Sequence, residues 1–139
     1  MRPRRRSKAE VRLATGDEPS VFRPGGVSYL RIPAPEPVAA ARFYEEVFGW
    51  STRGTAEQPG FTDASGHVIG HFVHNQQPVG EDGVRPYVYV ERVDEVLAAI
   101  ASHGGQTVTE PYPEGDLWVA TFRDPAGNVV GIWQHGPRG

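Results

Sequence analysis

The chain has 139 residues with no cysteine, 17 acidic and 14 basic side chains, and 38% apolar residues. That length suits one domain with a sizeable core. The composition excludes a disulfide scaffold, a thiol nucleophile and any cysteine metal site, and no apolar run approaches a membrane span.

The charge is uneven. Arg2, Arg4, Arg5, Arg6 and Lys8 give residues 1–8 a charge of +5, so with the whole chain at −3 the remainder is −8. No apolar segment of the signal-peptide kind follows, and residues 1–24 read as a basic tail. The acidic body repels phosphate backbones, which argues against nucleic acid as a partner and suits a cationic guest. A chain without disulfides fits the cytoplasm.

The first module, residues 25–74, opens at Gly25-Gly26. Val27 to Ile32 is a strand candidate, with Val27, Tyr29 and Arg31 on one face and Leu30 and Ile32 on the other. Ala40, Phe43, Tyr44, Val47 and Phe48 then recur at helical spacing, which predicts a helix over 36–48 capped by Gly49. Trp50 to Arg53 starts a strand, and a Pro59-Gly60 turn leads into a hairpin over 61–73.

Residues 75–84 are polar and glycine-rich and read as a linker. The second module, residues 85–134, repeats the order. Arg85 to Val90 is a strand with Arg85, Tyr87 and Tyr89 on one face, and Val93, Val96, Leu97, Ile100 and Ala101 give a second helical stripe stopped by Gly104-Gly105. Gln106 to Thr109 is a short strand, and the proline-rich stretch 110–116 reads as a loop. A hairpin over 117–134 closes the module, and 135–139 form a short tail. Phe61, Asp63, Gly66, Val68 and Gly70 recur as Phe122, Asp124, Gly127, Val129 and Gly131 at a constant spacing of 61, which marks an internal repeat. The fold class is therefore α+β. It is two tandem βαβββ modules whose strands form a curved, incompletely closed mixed sheet, a cup with the helices outside.

This order resembles the vicinal oxygen chelate superfamily of glyoxalases, extradiol dioxygenases and bleomycin resistance proteins. The likeness rests on Arg42-Phe43-Tyr44-Glu45-Glu46-Val47-Phe48-Gly49-Trp50, His103-Gly104-Gly105 and Asp124-Pro125-Ala126-Gly127-Asn128, and it spans about residues 25–134. The resemblance implies a small organic ligand in the cup and a two-fold homodimer. It also implies a metal ligand from the first and last strand of each module. The repeat places those positions on Val27, Arg85, Gly70 and Gly131, none of which can hold a divalent ion. A one-residue slip adds only His71 as a real ligand, so the expectation is no metal and no cofactor.

Aromatic and cationic groups carry the remaining signal. Tyr29, Arg31, Arg85, Tyr87 and Tyr89 are expected on the inner faces of the first strands. Phe72 and Trp133 follow Gly70 and Gly131 at matching positions, and those glycines are expected to hollow the cup. Trp118 and the loop 110–116 are expected to form a rim. In the glyoxalase branch, the likeness gives Arg31 an anionic group to hold; otherwise an internal ion pair with Glu114 or Asp116 would satisfy it. The combined expectation is a metal-independent binder, of the sequestration or resistance kind, for a small aromatic or amphipathic metabolite or antibiotic. The alternatives are a metal-dependent glyoxalase- or dioxygenase-type enzyme, and a metal-free lyase or isomerase using Tyr, His or Glu side chains, Tyr87 and Glu114 among them, as acid–base groups.

Overall fold

The computed structural model describes residues 18–138. The basic run in residues 1–8 therefore lies outside the described residues. Module one comprises β1 (Tyr29–Pro33), α1 (Pro37–Phe48), β2 (Ser51–Arg53), β3 (Gly60–Thr62) and β4 (Ile69–Val73). Module two comprises β5 (Tyr87–Tyr89), α2 (Val93–Ser102), β6 (Gln106–Glu114), β7 (Leu117–Arg123) and β8 (Val129–His135).

Each module makes one four-stranded mixed sheet, in the orders β1-β4-β3-β2 and β5-β8-β7-β6. The first strand pairs parallel with the fourth in both, and the other pairs are antiparallel. The two sheets are not hydrogen-bonded to each other, so β1 and β5 are both edge strands and the sheet is not closed.

The predicted helices form for the predicted reason. Phe43 and Tyr44 of α1 are buried and Phe48 is half-buried, while Pro37 sits in the first turn. There its missing N–H breaks no helical bond. Gly49 ends α1 at a φ of 75°, and its N–H reaches the Glu45 carbonyl. In α2, Val93, Leu97 and Ile100 are buried, with Asp94 and Glu95 at the positive end.

Under α1 lies a stack of rings. Tyr44 and Trp50 are 4.6 Å apart, Trp50 and Phe61 4.8 Å, and Phe61 and Phe72 5.0 Å. Each such contact adds about 0.5–1.5 kcal/mol beyond the area it buries. Phe122 of module two extends the stack to Phe48, 5.8 Å away, so the two modules share one core.

Polar bonds lock the same junction. Asp124 is buried in the β7–β8 turn, where Oδ1 accepts from the backbone N–H groups of Ala126 and Asn128. Its Oδ2 accepts from the Tyr44 hydroxyl at 2.8 Å. Asn128 donates from Nδ2 to the Pro33 carbonyl at 2.7 Å, and its Oδ1 accepts from the Val79 N–H. Burial pushes the Asp124 carboxyl above the usual carboxylate range, against the opposing pull of its hydrogen bonds from Asn128, Tyr44 and Ala126. Burial, then the adjacent Asp124, pushes the Tyr44 phenol well above its ordinary value.

Two expectations change. The stretch 110–114 is not a loop, because β6 continues through Pro111 and Pro113 to Glu114, paired with β7. An edge strand tolerates proline where no ladder N–H is needed, and register shifts between Thr107 and Tyr112 absorb the irregularity. The repeat also slips by one residue at the turns. The Asp63 N–H reaches the carbonyl of Val68, whereas the Asp124 N–H reaches that of Asn128, one residue sooner. Phe61 corresponds to Phe122, but Gly70 corresponds to Val130 and His71 to Gly131.

Replacing Tyr44 with Phe keeps the ring but removes the donor to Asp124. We expect a loss of about 1.5–3 kcal/mol in denaturant unfolding, and a change below about 0.5 kcal/mol would contradict the polar lock. Because the folded-state Asp124 carboxyl is raised, its stabilising contribution is present at acid pH and is lost as pH rises through the folded value. Wild-type stability measured against Asp124→Asn should therefore grow as pH falls from neutrality; a shrinking difference would contradict the direction.

Candidate functional site

A cleft of about 850 Å³ runs along the gap between the edge strands β1 and β5. That volume lies within the range of small-molecule sites. Its lining is mainly apolar. Leu30 and Ile32 come from β1, Val47 and Phe48 from α1, Val88 from β5 and Val96 from α2. These side chains are half-buried and lean on the core. The first hairpin turn, Asp63 to Ser65, contributes to the same lining. Arg31 and Asp63 are the ionisable groups of opposite charge there, and the Asp63 Oδ1 already accepts from Ser65 and from backbone N–H groups.

The expected site residues separate into three groups. Arg31, Tyr87 and Tyr89 line the cleft. Tyr29, Arg85 and Trp133 do not line it, although register puts Tyr29 and Trp133 on the same sheet faces as Arg31 and Tyr89. Phe72 and Trp118 leave the set. Phe72 is fully buried, 5.7 Å from Tyr44, because the slipped repeat turns it toward α1. Trp118 pairs with Gln134, whose Oε1 accepts from the first N–H of α2. It therefore lies on the helix side, under the guanidinium of Arg138 at 5.2 Å.

The two mid-strand glycines also act differently from expectation. A Cβ at Gly70 would stand 2.0 Å from the Leu30 carbonyl oxygen and 2.5 Å from the Phe61 ring. A Cβ at Gly131 would stand 2.2 Å from the Tyr87 ring. Gly70 thus admits core packing, and Gly131 is a seat for Tyr87; neither opens a hollow. From that seat Tyr87 reaches Tyr112. Burial pushes the Tyr112 phenol up, with Tyr87 and Glu114 adding to the effect and Arg85 opposing it. Tyr89 meets Trp133 edge to face at 4.9 Å.

Arg31 has no ion pair with Glu114, Asp116 or any other described residue. Arg85 donates to the Glu81 carbonyl at 2.6 Å, and its Nε is buried without a hydrogen-bond partner. The open-face positions near β1 and β5 fit a divalent ion poorly. Register makes the fourth-strand pair His71 and Gly131, and the first-strand candidates beside them are Arg31 and Tyr87. His71 is the one good ligand of the four, and its Nδ1 is hydrogen-bonded to the Tyr29 hydroxyl at 2.9 Å. Among the described residues no three His, Asp or Glu side chains cluster in a way that could hold an ion.

A second depression of about 610 Å³ lies at the start of α1, bordered by Arg42, Glu46 and His103. Its imidazole and carboxylate pair with each other at 3.0 Å. Among the described residues no helix is long and apolar enough to cross a membrane.

Sequence reasoning missed Leu30, Val47, Val88 and Val96 as cleft residues. Their alternation and helical spacing were visible, but both patterns read as core.

Comparison with known proteins adds the family. The chain is 26% identical over 125 residues to a putative glyoxylase, CFP32, of Mycobacterium tuberculosis, covering 83% of this chain and 48% of that protein. It is 25% identical over 134 residues to the anthracycline biosynthesis protein DnrV of Streptomyces peucetius, covering 83% and 49%. The chain thus spans about half the length of the curated relatives it matches. In fold it is similar to a glyoxalase/bleomycin resistance protein/dioxygenase family enzyme from Burkholderia phytofirmans PsJN, with a TM-score of 0.66 and 20% identity over 78% of this chain and 97% of that one. It is also similar to TioX from Micromonospora sp. ML1, with a TM-score of 0.59 and 21% identity over 80% and 99%. The glyoxalase-like domain family matches residues 29–132, which span both modules from β1 into β8, and the chain belongs to that family.

Proposed function

We propose that this protein binds a small, flat, largely apolar organic molecule in the cleft between β1 and β5, and that it does so without a metal ion. The observation that carries this reading is the cleft itself, with half-buried Leu30, Val47, Val88 and Val96 on its walls and Tyr87 and Tyr89 beside them. Apolar walls with a few polar groups are the usual make-up of small-molecule sites. Burying aliphatic and ring carbon supplies the affinity, at about 25 cal/mol per Å². Metal independence is supported by the open-face positions, where Arg31, Tyr87 and Gly131 offer no ligand suited to a divalent ion.

The similarity to a protein of anthracycline biosynthesis favours a fused-ring compound. Such a molecule is planar and mostly carbon, which is what two separated strand edges with apolar sides can admit. Sequestration of an antibiotic or of a related metabolite is the form this binding takes in the proposal. A two-fold homodimer and a cytoplasmic location complete it.

A thermal-shift panel of planar aromatic compounds tests the reading. At a hundred times its Kd, a ligand specific to the folded state adds about 2.7 kcal/mol, and its Tm shift should keep rising with the logarithm of ligand concentration. Val88→Lys places a charge on the cleft wall at a half-buried site with access to solvent, and should weaken the hit at least tenfold while the protein still folds. No binder in the panel, or equal binding by the variant, would contradict the proposal.

A further inference from the structure

Among the described residues, Asp63 is the one carboxylate that lines the cleft. It stands on the apolar side of the first sheet. Phe61 pairs with Gly70, which pairs with Leu30, and the Asp63 N–H reaches the Val68 carbonyl two residues further along. Side chains two residues apart in a strand share a face, so Asp63 and Val68 lie on the side of Leu30 and Phe61. Asp63 is half-buried there, with Leu30, Val47, Phe48 and Val68 in the same lining. Arg31, the cation of that lining, alternates with Leu30 onto the opposite face and forms no ion pair with Asp63.

The repeat provides a comparison within the chain. Asp63 and Asp124 both use Oδ1 to brace their own turns. Asp63 accepts there from Ser65 and from the N–H groups of Gly66 and Val68, and Asp124 from those of Ala126 and Asn128. The second oxygens differ. Asp124 Oδ2 accepts at 2.8 Å from the Tyr44 hydroxyl, which α1 sends across from the other module. Asp63 Oδ2 accepts from no described residue. The helical stripes account for the difference. Ala40, Phe43, Tyr44, Val47 and Phe48 correspond in order to Val93, Val96, Leu97, Ile100 and Ala101, so Leu97 stands where the matching tyrosine would be. Leu97 is buried and has no donor to offer. Helix α1 closes its carboxylate with a phenol, whereas α2 leaves the other carboxylate open to whatever enters the cleft.

We propose that Asp63 anchors the guest, and that the flat ring system carries a cationic nitrogen donor that meets Oδ2 as the Tyr44 hydroxyl meets Asp124. This inference rests on the cleft reading above and narrows it to cationic aromatic compounds. A carboxylate among aliphatic side chains gains more from a charged donor than from a neutral one, because the bond is charge-assisted and the local dielectric is low. The apolar walls hold the rings, while Asp63 fixes their orientation and selects by charge. The acidic balance of residues 9–139 favours the same sign of guest at longer range.

Calorimetry with two tricyclic probes of similar area tests this: proflavine, a cation at neutral pH, and anthraquinone sulfonate, an anion. Wild-type protein should bind the cation tighter by about tenfold or more. Asp63→Asn keeps an Oδ1 acceptor for Ser65, Gly66 and Val68, so the turn holds while the charge is lost. That variant should lose the preference. Glu57→Gln removes the same unit of charge at an exposed site outside the cleft and should keep it. Equal binding of the two probes by wild-type protein, tighter binding of the anion, or an unchanged preference in folded Asp63→Asn would overturn the anchor. If the bound probe is still weakened by Val88→Lys, the cleft reading survives that result. Binding of neither probe also overturns the anchor, and the cleft reading then stands or falls with the wider aromatic panel.

Discussion

The carboxylate of Asp124 holds the two modules in register. It is buried at a turn, and it gathers the hydroxyl of a helix in the other module and the N–H groups of its own turn. Its neighbour Asn128 then reaches the last carbonyl of β1 and the N–H of Val79 in the linker. Four segments distant in sequence meet at two side chains. A buried polar group without partners costs about 1–3 kcal/mol, so such a node tolerates few alternative arrangements. Asn128 also lines the cleft.

The fold is not symmetric about that node. Asp63 occupies the corresponding turn in module one, yet its turn is one residue longer and its carboxylate serves only local donors. The second turn docks against the first module, and both turns border the cleft. One inserted residue thus breaks the symmetry of the repeat. The gap between β1 and β5 offers two strand edges and aliphatic side chains, which is where an organic guest gains most from burial.

Much of this was legible in the sequence. Helical stripes such as Ala40, Phe43, Tyr44, Val47 and Phe48 fixed α1 because a 3.6-residue period has a single structural meaning. The Asp-to-Gly turns marked both hairpins. The faces of the last strands were not legible. Aligning Gly70 with Gly131 ignored the extra residue after the first turn, and in a strand a one-residue slip moves every side chain to the opposite face. Phe72 was therefore expected in the cup but packs in the core. Pro111 and Pro113 concealed a strand, because only tertiary position distinguishes an edge from a loop. The site was partly legible: Arg31, Tyr87 and Tyr89 do line the cleft, but its aliphatic walls carry no signal that separates them from ordinary core.

The central claim is that an organic molecule, and no metal ion, occupies the gap between β1 and β5. A crystal structure of the protein with a bound planar aromatic compound tests it most directly. The account predicts the ring system between the two edge strands, in contact with Leu30, Val47 and Val88. A ligand held elsewhere through a tightly bound cation, or a gap closed by the protein's own side chains, would contradict it.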